Sequence, residues 1–121
     1  MQKIAKYLLL VCLAGFLAAC STGPKPLYYW GNYSDAVYHY YKNEEPIATQ
    51  IDQVQEIIHQ GQESKLAIAP GIYGHLGLLY LKQGNGHLAN QYFTKEASLY
   101  PESKQFIQFL SKKQAKNGGQ K

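Results

Sequence analysis

The chain has 121 residues, 45% of them apolar, and a formal charge of +4, which is room for one small domain. Eleven tyrosines and no arginine stand out, and between Cys20 and Ser111 six lysines meet eight acids, a net charge of −2. The basicity therefore belongs to the two ends. Without arginine or a block of clustered lysines, phosphate-reading nucleic-acid binding is excluded as a function class.

At the N-terminus Lys3 and Lys6 precede an apolar run from Tyr7 to Ala19 that closes on Leu17, Ala18, Ala19 and Cys20. The run is shorter than the roughly 20 apolar residues of a spanning helix. A positive start, an apolar middle and a small-residue end are the layout of a secretory signal. Leu17-Ala18-Ala19-Cys20 resembles the bacterial lipobox. That resemblance implies a signal peptide over 1–19, cleavage before Cys20 and a covalent lipid on its sulfur; a secretory signal with a chance cysteine is the plainer alternative. Two or more acyl chains anchor a protein stably where one does not, so the expectation is a lipid-anchored protein whose polypeptide stays in water. Ser21 after the cysteine resembles the pattern of lipoproteins sorted to the outer membrane in Gram-negative bacteria, which implies a periplasm-facing position. Cys12 would leave with the signal and Cys20 would be consumed by lipid. That leaves no thiol for catalysis, for a disulfide or for a metal.

Residues 20–27 read as the lipidated cysteine and a short tether, Ser21-Thr22-Gly23-Pro24-Lys25-Pro26-Leu27, reaching about 25 Å when extended. An aromatic block follows, with Tyr28, Tyr29, Trp30, Tyr33, Tyr38, Tyr40 and Tyr41. Ser34 is placed to cap a short helix to about Asn43. Gly31, Tyr33, Ala36 and Tyr40 are spaced like the corner and second helix of a degenerate repeat. Glu44-Glu45-Pro46 ends that helix on a solvated corner. Ile47, Ile51, Val54, Ile57 and Ile58 then predict an amphipathic helix that stops before Gly61. Neighbouring residues in a run such as Tyr28-Tyr29-Trp30 diverge in direction, so part of it is a candidate contact for a partner, a glycan or the membrane interface.

From Pro70 to Glu102 the spacing predicts two antiparallel helices. Ile72, Tyr73, Leu76, Leu79, Tyr80 and Leu81 form one apolar face, Gly84-Asn85-Gly86 breaks it, and Leu88, Ala89, Tyr92, Phe93, Ala97 and Tyr100 resume it until Pro101. Small residues, Gly77 and Ala89, fall where the helices must approach. Tyr73, Leu76, Gly77, Tyr80, Ala89, Phe93 and Pro101 occupy the offsets of a tetratricopeptide signature, which the stretch resembles. Glu96 departs from it, standing where a small alanine is preferred. The resemblance implies a helical scaffold for binding, with an extended ligand near Tyr73, Leu76, Tyr80 and Tyr92.

After Pro101 a last helix is predicted to turn Phe106, Ile107, Phe109 and Leu110 inward as a cap, and 112–121 to form a basic tail that frays. Four histidines, His39, His59, His75 and His87, show no metal-ligand spacing, although His75 and His87 could meet across the turn. Ser34, Asp35 and His39 supply the residue types of a hydrolase triad without nucleophile-elbow glycines. Capping explains Ser34 as well.

The expected fold is all-α: about five short helices in a tetratricopeptide-like stack over 28–111, with a C-terminal capping helix. The chain also resembles an uncharacterised domain-of-unknown-function family of small bacterial lipoproteins carrying Tyr-Trp-Gly-Asn-Tyr, here Tyr29 to Tyr33, ahead of one such unit. That family is associated with lipoproteins similar to the curli secretion channel, which implies a role in envelope assembly. The expected function is a non-enzymatic adaptor with no cofactor beyond the lipid on Cys20. It would bind an envelope protein or a second copy of itself. A glycan or peptidoglycan binder using Tyr28, Tyr29 and Trp30 is the alternative.

Overall fold

A computed structural model describes residues 1–18 and 23–118 and shows an all-α protein. Its helices are α1 (Gln2–Ala18), α2 (Tyr33–Lys42), α3 (Ile47–Glu63), α4 (Ile72–Gln83), α5 (Gly86–Leu99) and α6 (Lys104–Gly118). Two short strands, β1 (Tyr28–Tyr29) and β2 (Ala67–Ile68), pair in parallel, and a 3₁₀ turn at Pro101–Ser103 joins α5 to α6. Met1 to Phe16 are exposed throughout and contribute nothing to the core. Among the described residues no helix is long and apolar enough to cross a membrane. Ala19 and Cys20 of the lipobox-like stretch lie outside the described residues. Of Leu17 and Ala18 only the helical backbone is described.

From α2 onward successive helices alternate in direction. Gly77 of α4 lies against Phe93 and Ala89 of α5 while Gly74 lies against Glu96, so these two run antiparallel. Across α4 and α6, Gly74 sits beside Ile107 and the end of α4 beside Leu110 and Lys113, so that pair runs parallel. Helix α4 is apolar almost all round, with Ile72, Tyr73, Leu76, Leu79 and Tyr80 buried, because neighbours cover it on both sides. Gly84 at φ 88° ends it in a Schellman turn: the Gly84 amide donates to Leu81 O at 3.1 Å and the Asn85 amide to Tyr80 O at 2.9 Å. Asn85 then caps α5, its side chain accepting from the Leu88 amide at 3.1 Å.

Several sequence expectations are corrected. Ser34 does not cap α2; the helix opens at Tyr33 behind Asn32, and Ser34 lies in its exposed first turn. Helix α2 is followed by its own partner α3, which places it first in a hairpin rather than second. Helix α3 does not stop before Gly61. It runs to Glu63, because Gly61 is where the strand pair closes on the helix: a Cβ there would lie 2.4 Å from Ile68 Cδ1 and 3.0 Å from Tyr29 Cδ1. The Glu44-Glu45 corner is braced, with Gln53 donating to Glu45 Oε2 at 2.8 Å and Gln50 to Glu45 O at 2.9 Å.

Helix α6 departs most. Only Ile107 and Leu110 reach the core, while Phe106 and Phe109 remain 55% and 61% exposed. A terminal helix has a neighbour on one side only, so four apolar positions spread over so wide an arc cannot all be covered. The helix also continues through Lys112, Lys113 and Lys116 to Gly118, held where Gln114 packs on the first turn of α5 at Gly86.

Candidate functional site

The aromatic block divides by the alternation of a strand. Tyr28 packs edge-on against Tyr100 at 6.0 Å, and Tyr29 turns to Gly61, its hydroxyl donating to Gln60 Oε1 at 2.8 Å. Both rings are half-buried and pack on the core. Trp30 is 50% exposed, its ring 6.1 Å from that of Tyr33. The three candidate contacts therefore do not form one surface.

The groove expected over Tyr73, Leu76, Tyr80 and Tyr92 is closed. Tyr73, Leu76 and Tyr80 are buried, and Tyr92 stacks flat on Tyr80 at 5.5 Å, so these rings belong to the α4–α5 seam. The open face is the opposite one. Along α4, between α2 and α6, two adjoining cavities of about 550 and 250 Å³ share Tyr40 and Leu78 as walls. The larger is completed by Leu81, Lys82, Leu110, Lys113 and Gln114, the smaller by Tyr33, Val37, Tyr41, Gly71, His75 and Phe106. Together they form one groove lined by the three parallel helices α2, α4 and α6.

His75 forms the floor of the smaller end. Its Nδ1 shares a hydrogen bond with the Tyr33 hydroxyl at 3.2 Å, and the rings of Tyr33 and Tyr40 stand edge-on to it at 5.5 and 5.0 Å. Burial, reinforced by the Lys82 charge, lowers its pKa to about 4, which keeps the imidazole neutral near pH 7. Burial also raises the Tyr33 hydroxyl to about 12, with the charges of Glu96 and Tyr41 adding to it. This pair is a neutral polar clasp between α2 and α4. At the other end Lys82 Nζ lies 4.0 Å from the Tyr40 ring centroid, a cation–π contact that holds the ammonium over the groove.

Glu96, which the sequence reading marked only as a departure, is the chief polar fastening of the fold. It is 1% exposed; its Oε1 accepts from the Gly71 amide at 2.6 Å and from Ser103 Oγ at 3.2 Å, and its Oε2 from the Gly74 amide at 3.3 Å. A carboxylate from α5 thus caps the first turn of α4, where free amides and the helix dipole favour negative charge. No spacing rule in the sequence points to it, because its partners are backbone amides 22 and 25 residues away.

The residues considered for chemistry do not assemble. His39 and Asp35 share a polar cleft with Glu56 between α2 and α3, but Ser34 does not line it. His39 Nδ1 lies 3.4 Å from Glu45 Oε1, an ion-pair distance at an angle outside a hydrogen bond. His87 is exposed while His75 is enclosed by tyrosines. Among the described residues no group of three or more histidine, cysteine or acidic side chains is placed to hold a metal ion.

No curated protein and no solved structure matches the chain. A family model described as Domain of unknown function (DUF4810) matches residues 27–110, from just before β1 to the last core residue of α6. With that match covering every packed element from β1 to Leu110, the chain belongs to the DUF4810 family of domains of unknown function.

Proposed function

We propose that this protein is a non-enzymatic adaptor of the bacterial cell envelope, lipid-anchored through Cys20 at the periplasmic face of the outer membrane and holding a protein partner on its helical domain. The observation that carries the binding half is the groove along α4, where Tyr40, Leu78 and Leu81 are left partly uncovered between α2 and α6 although every other side of α4 is sealed. An apolar channel with polar ends is the form in which helical scaffolds take an extended or helical segment. The tetratricopeptide resemblance supports the same use with a shifted site, since the residues it nominated are occupied in the seam. Ser34 does not line the cleft that holds His39, Asp35 and Glu56, which supports holding over catalysis.

The lipobox supports the location. Intact-mass measurement of protein extracted from membranes is expected to show a chain beginning at Cys20 and carrying acyl chains; an unacylated chain retaining residues 1–19 refutes the anchor. A photo-crosslinking amino acid at Leu78 or Leu81 is expected to capture a protein in living cells. The same group at Thr94, on the exposed face of α5, should capture none. Equal capture at both refutes the groove. The glycan alternative rests on Trp30 alone, because Tyr28 and Tyr29 are engaged in packing. An unchanged tryptophan emission on titration with muropeptides removes it.

A further inference from the structure

The charge on the groove is not that of the whole domain. The three helices that line it carry Lys42, Lys82, Lys104, Lys112, Lys113 and Lys116 against the single acid Asp35, whereas α3 on the other side carries Asp52, Glu56 and Glu63 and no lysine. Most of these lysines stand near the C-terminal ends of α2, α4 and α6, and two of them, Lys82 and Lys113, line the larger cavity. Among the described residues neither cavity has an acidic side chain in its wall, and no lysine is in an ion pair. The opposite end, around Tyr33, Tyr41, His75 and Phe106, is aromatic, with the Tyr33 hydroxyl and His75 Nδ1 joined in a hydrogen bond.

We infer that the groove is built for a segment of a partner protein in which an aromatic or aliphatic side chain lies three or four residues from aspartate or glutamate. This specification rests on the adaptor reading given above. Its spacing follows from the helix: seven residues separate His75 from Lys82, about 10 Å of rise, which an extended chain covers in about three residues. The apolar side chain enters between Tyr33, Tyr41 and Phe106, and the carboxylates lie between Lys82 and Lys113. The acidic helix α3 of a second copy is a poorer occupant: it exposes Thr49, Asp52, Gln55, Glu56, His59 and Gln62 and offers no large apolar side chain to fill the aromatic end.

The test is a selection from random peptides of about a dozen residues displayed on phage, with the full chain in detergent as bait. Four baits are compared: the native protein, Lys82→Glu with Lys113→Glu, Leu78→Asn, and Lys95→Glu on α5 outside the groove. Circular dichroism checks that each retains its helix. The expected result is enrichment of peptides pairing an apolar residue with acids at that spacing, reduced at least tenfold on the charge-reversed and Leu78→Asn baits and kept on Lys95→Glu. Peptides that lack acids and ignore the charge reversal, but are lost on Leu78→Asn, overturn the acidic specification and leave the groove a docking site. Absence of enrichment on every bait overturns both. Phosphatidylglycerol vesicles are offered in parallel; binding to them that the charge reversal abolishes, with no peptide enriched, overturns the inference in favour of a membrane-lying face.

Discussion

The two sides of α4 solve the same problem differently. Towards α5, Gly77 and Ala89 let the backbones close until the Phe93 ring lies where a Cβ on Gly77 would be, and Glu96 ties the first turn of α4 to α5. Towards α2 and α6 the contacts are made by side-chain tips: the Tyr33–His75 hydrogen bond, the Lys82–Tyr40 contact, and Ile107 and Leu110 from one edge of α6. Backbone-to-backbone closure excludes everything else, whereas tip contacts leave space between them. Stability is thus concentrated in one seam and binding capacity in the other, with a single helix serving both.

Variants can break that contrast. The largest effect is expected at Gly77→Val, whose Cβ would fall 2.5 Å from Phe93 Cδ1 and 3.1 Å from Ala89 O. Urea unfolding should show a loss of about 3 kcal/mol or outright failure to fold. Glu96→Ala comes next, at about 2 to 3 kcal/mol, since it strands the buried amides of Gly71 and Gly74 along with the Ser103 hydroxyl. An equal cost for Tyr33→Phe on the other side would erase the distinction between the seams.

The His75 side should reveal itself through pH. Its folded pKa of about 4 lies below the ordinary 6.5, so between those values the unfolded chain binds a proton that the native state does not. Stability is therefore full above pH 6.5 and is lost as pH falls towards 4, at no more than about 1.4 kcal/mol per pH unit from this group. Denaturant melts across that window should be flatter for His75→Gln than for the native protein by up to that slope. An identical slope would place the imidazole in solvent.

Two smaller effects, one of them set beside a larger control, sharpen the picture. Gly74→Ala should stabilise by up to about 1 kcal/mol, because a helical glycine is replaced and the new Cβ meets Glu96 Cγ at 3.6 Å and Ile107 Cδ1 at 3.7 Å, both ordinary contacts. Phe109→Ser should change stability by less than about 0.5 kcal/mol, while Ile107→Ala, two residues away on the covered edge, should cost about 2 kcal/mol or more. A matching loss at Phe109 would mean that α6 is covered on both sides in solution.

The sequence was most legible where structure is local. The period of Ile72 to Leu81, the Gly84 break and the resumption at Leu88 locate α4, its turn and α5, since helix periodicity, positive φ and capping each depend on residues within about one turn. The small residues Gly77 and Ala89 were legible too, because close helix approach needs a missing side chain. Gly61 misled: a glycine near a helix end reads as a stop, and here it accommodates Tyr29 and Ile68 from distant segments. Phe106 and Phe109 misled for a related reason, as the pattern shows how much apolar surface a helix has but not how much its neighbours cover.

By itself, then, the sequence determined that this is an all-α chain with a tight helical hairpin behind an N-terminal apolar run, because those features follow from period, breakers and charge order along the backbone. Only the tertiary structure decided which face of α4 stays open, that Glu96 is spent on capping, and that a domain of nearly balanced charge places Lys82 and Lys113 together in the wall of one groove. These depend on which distant residues become neighbours. Charge and burial are properties of surfaces, and a surface exists only once the helices have been assembled.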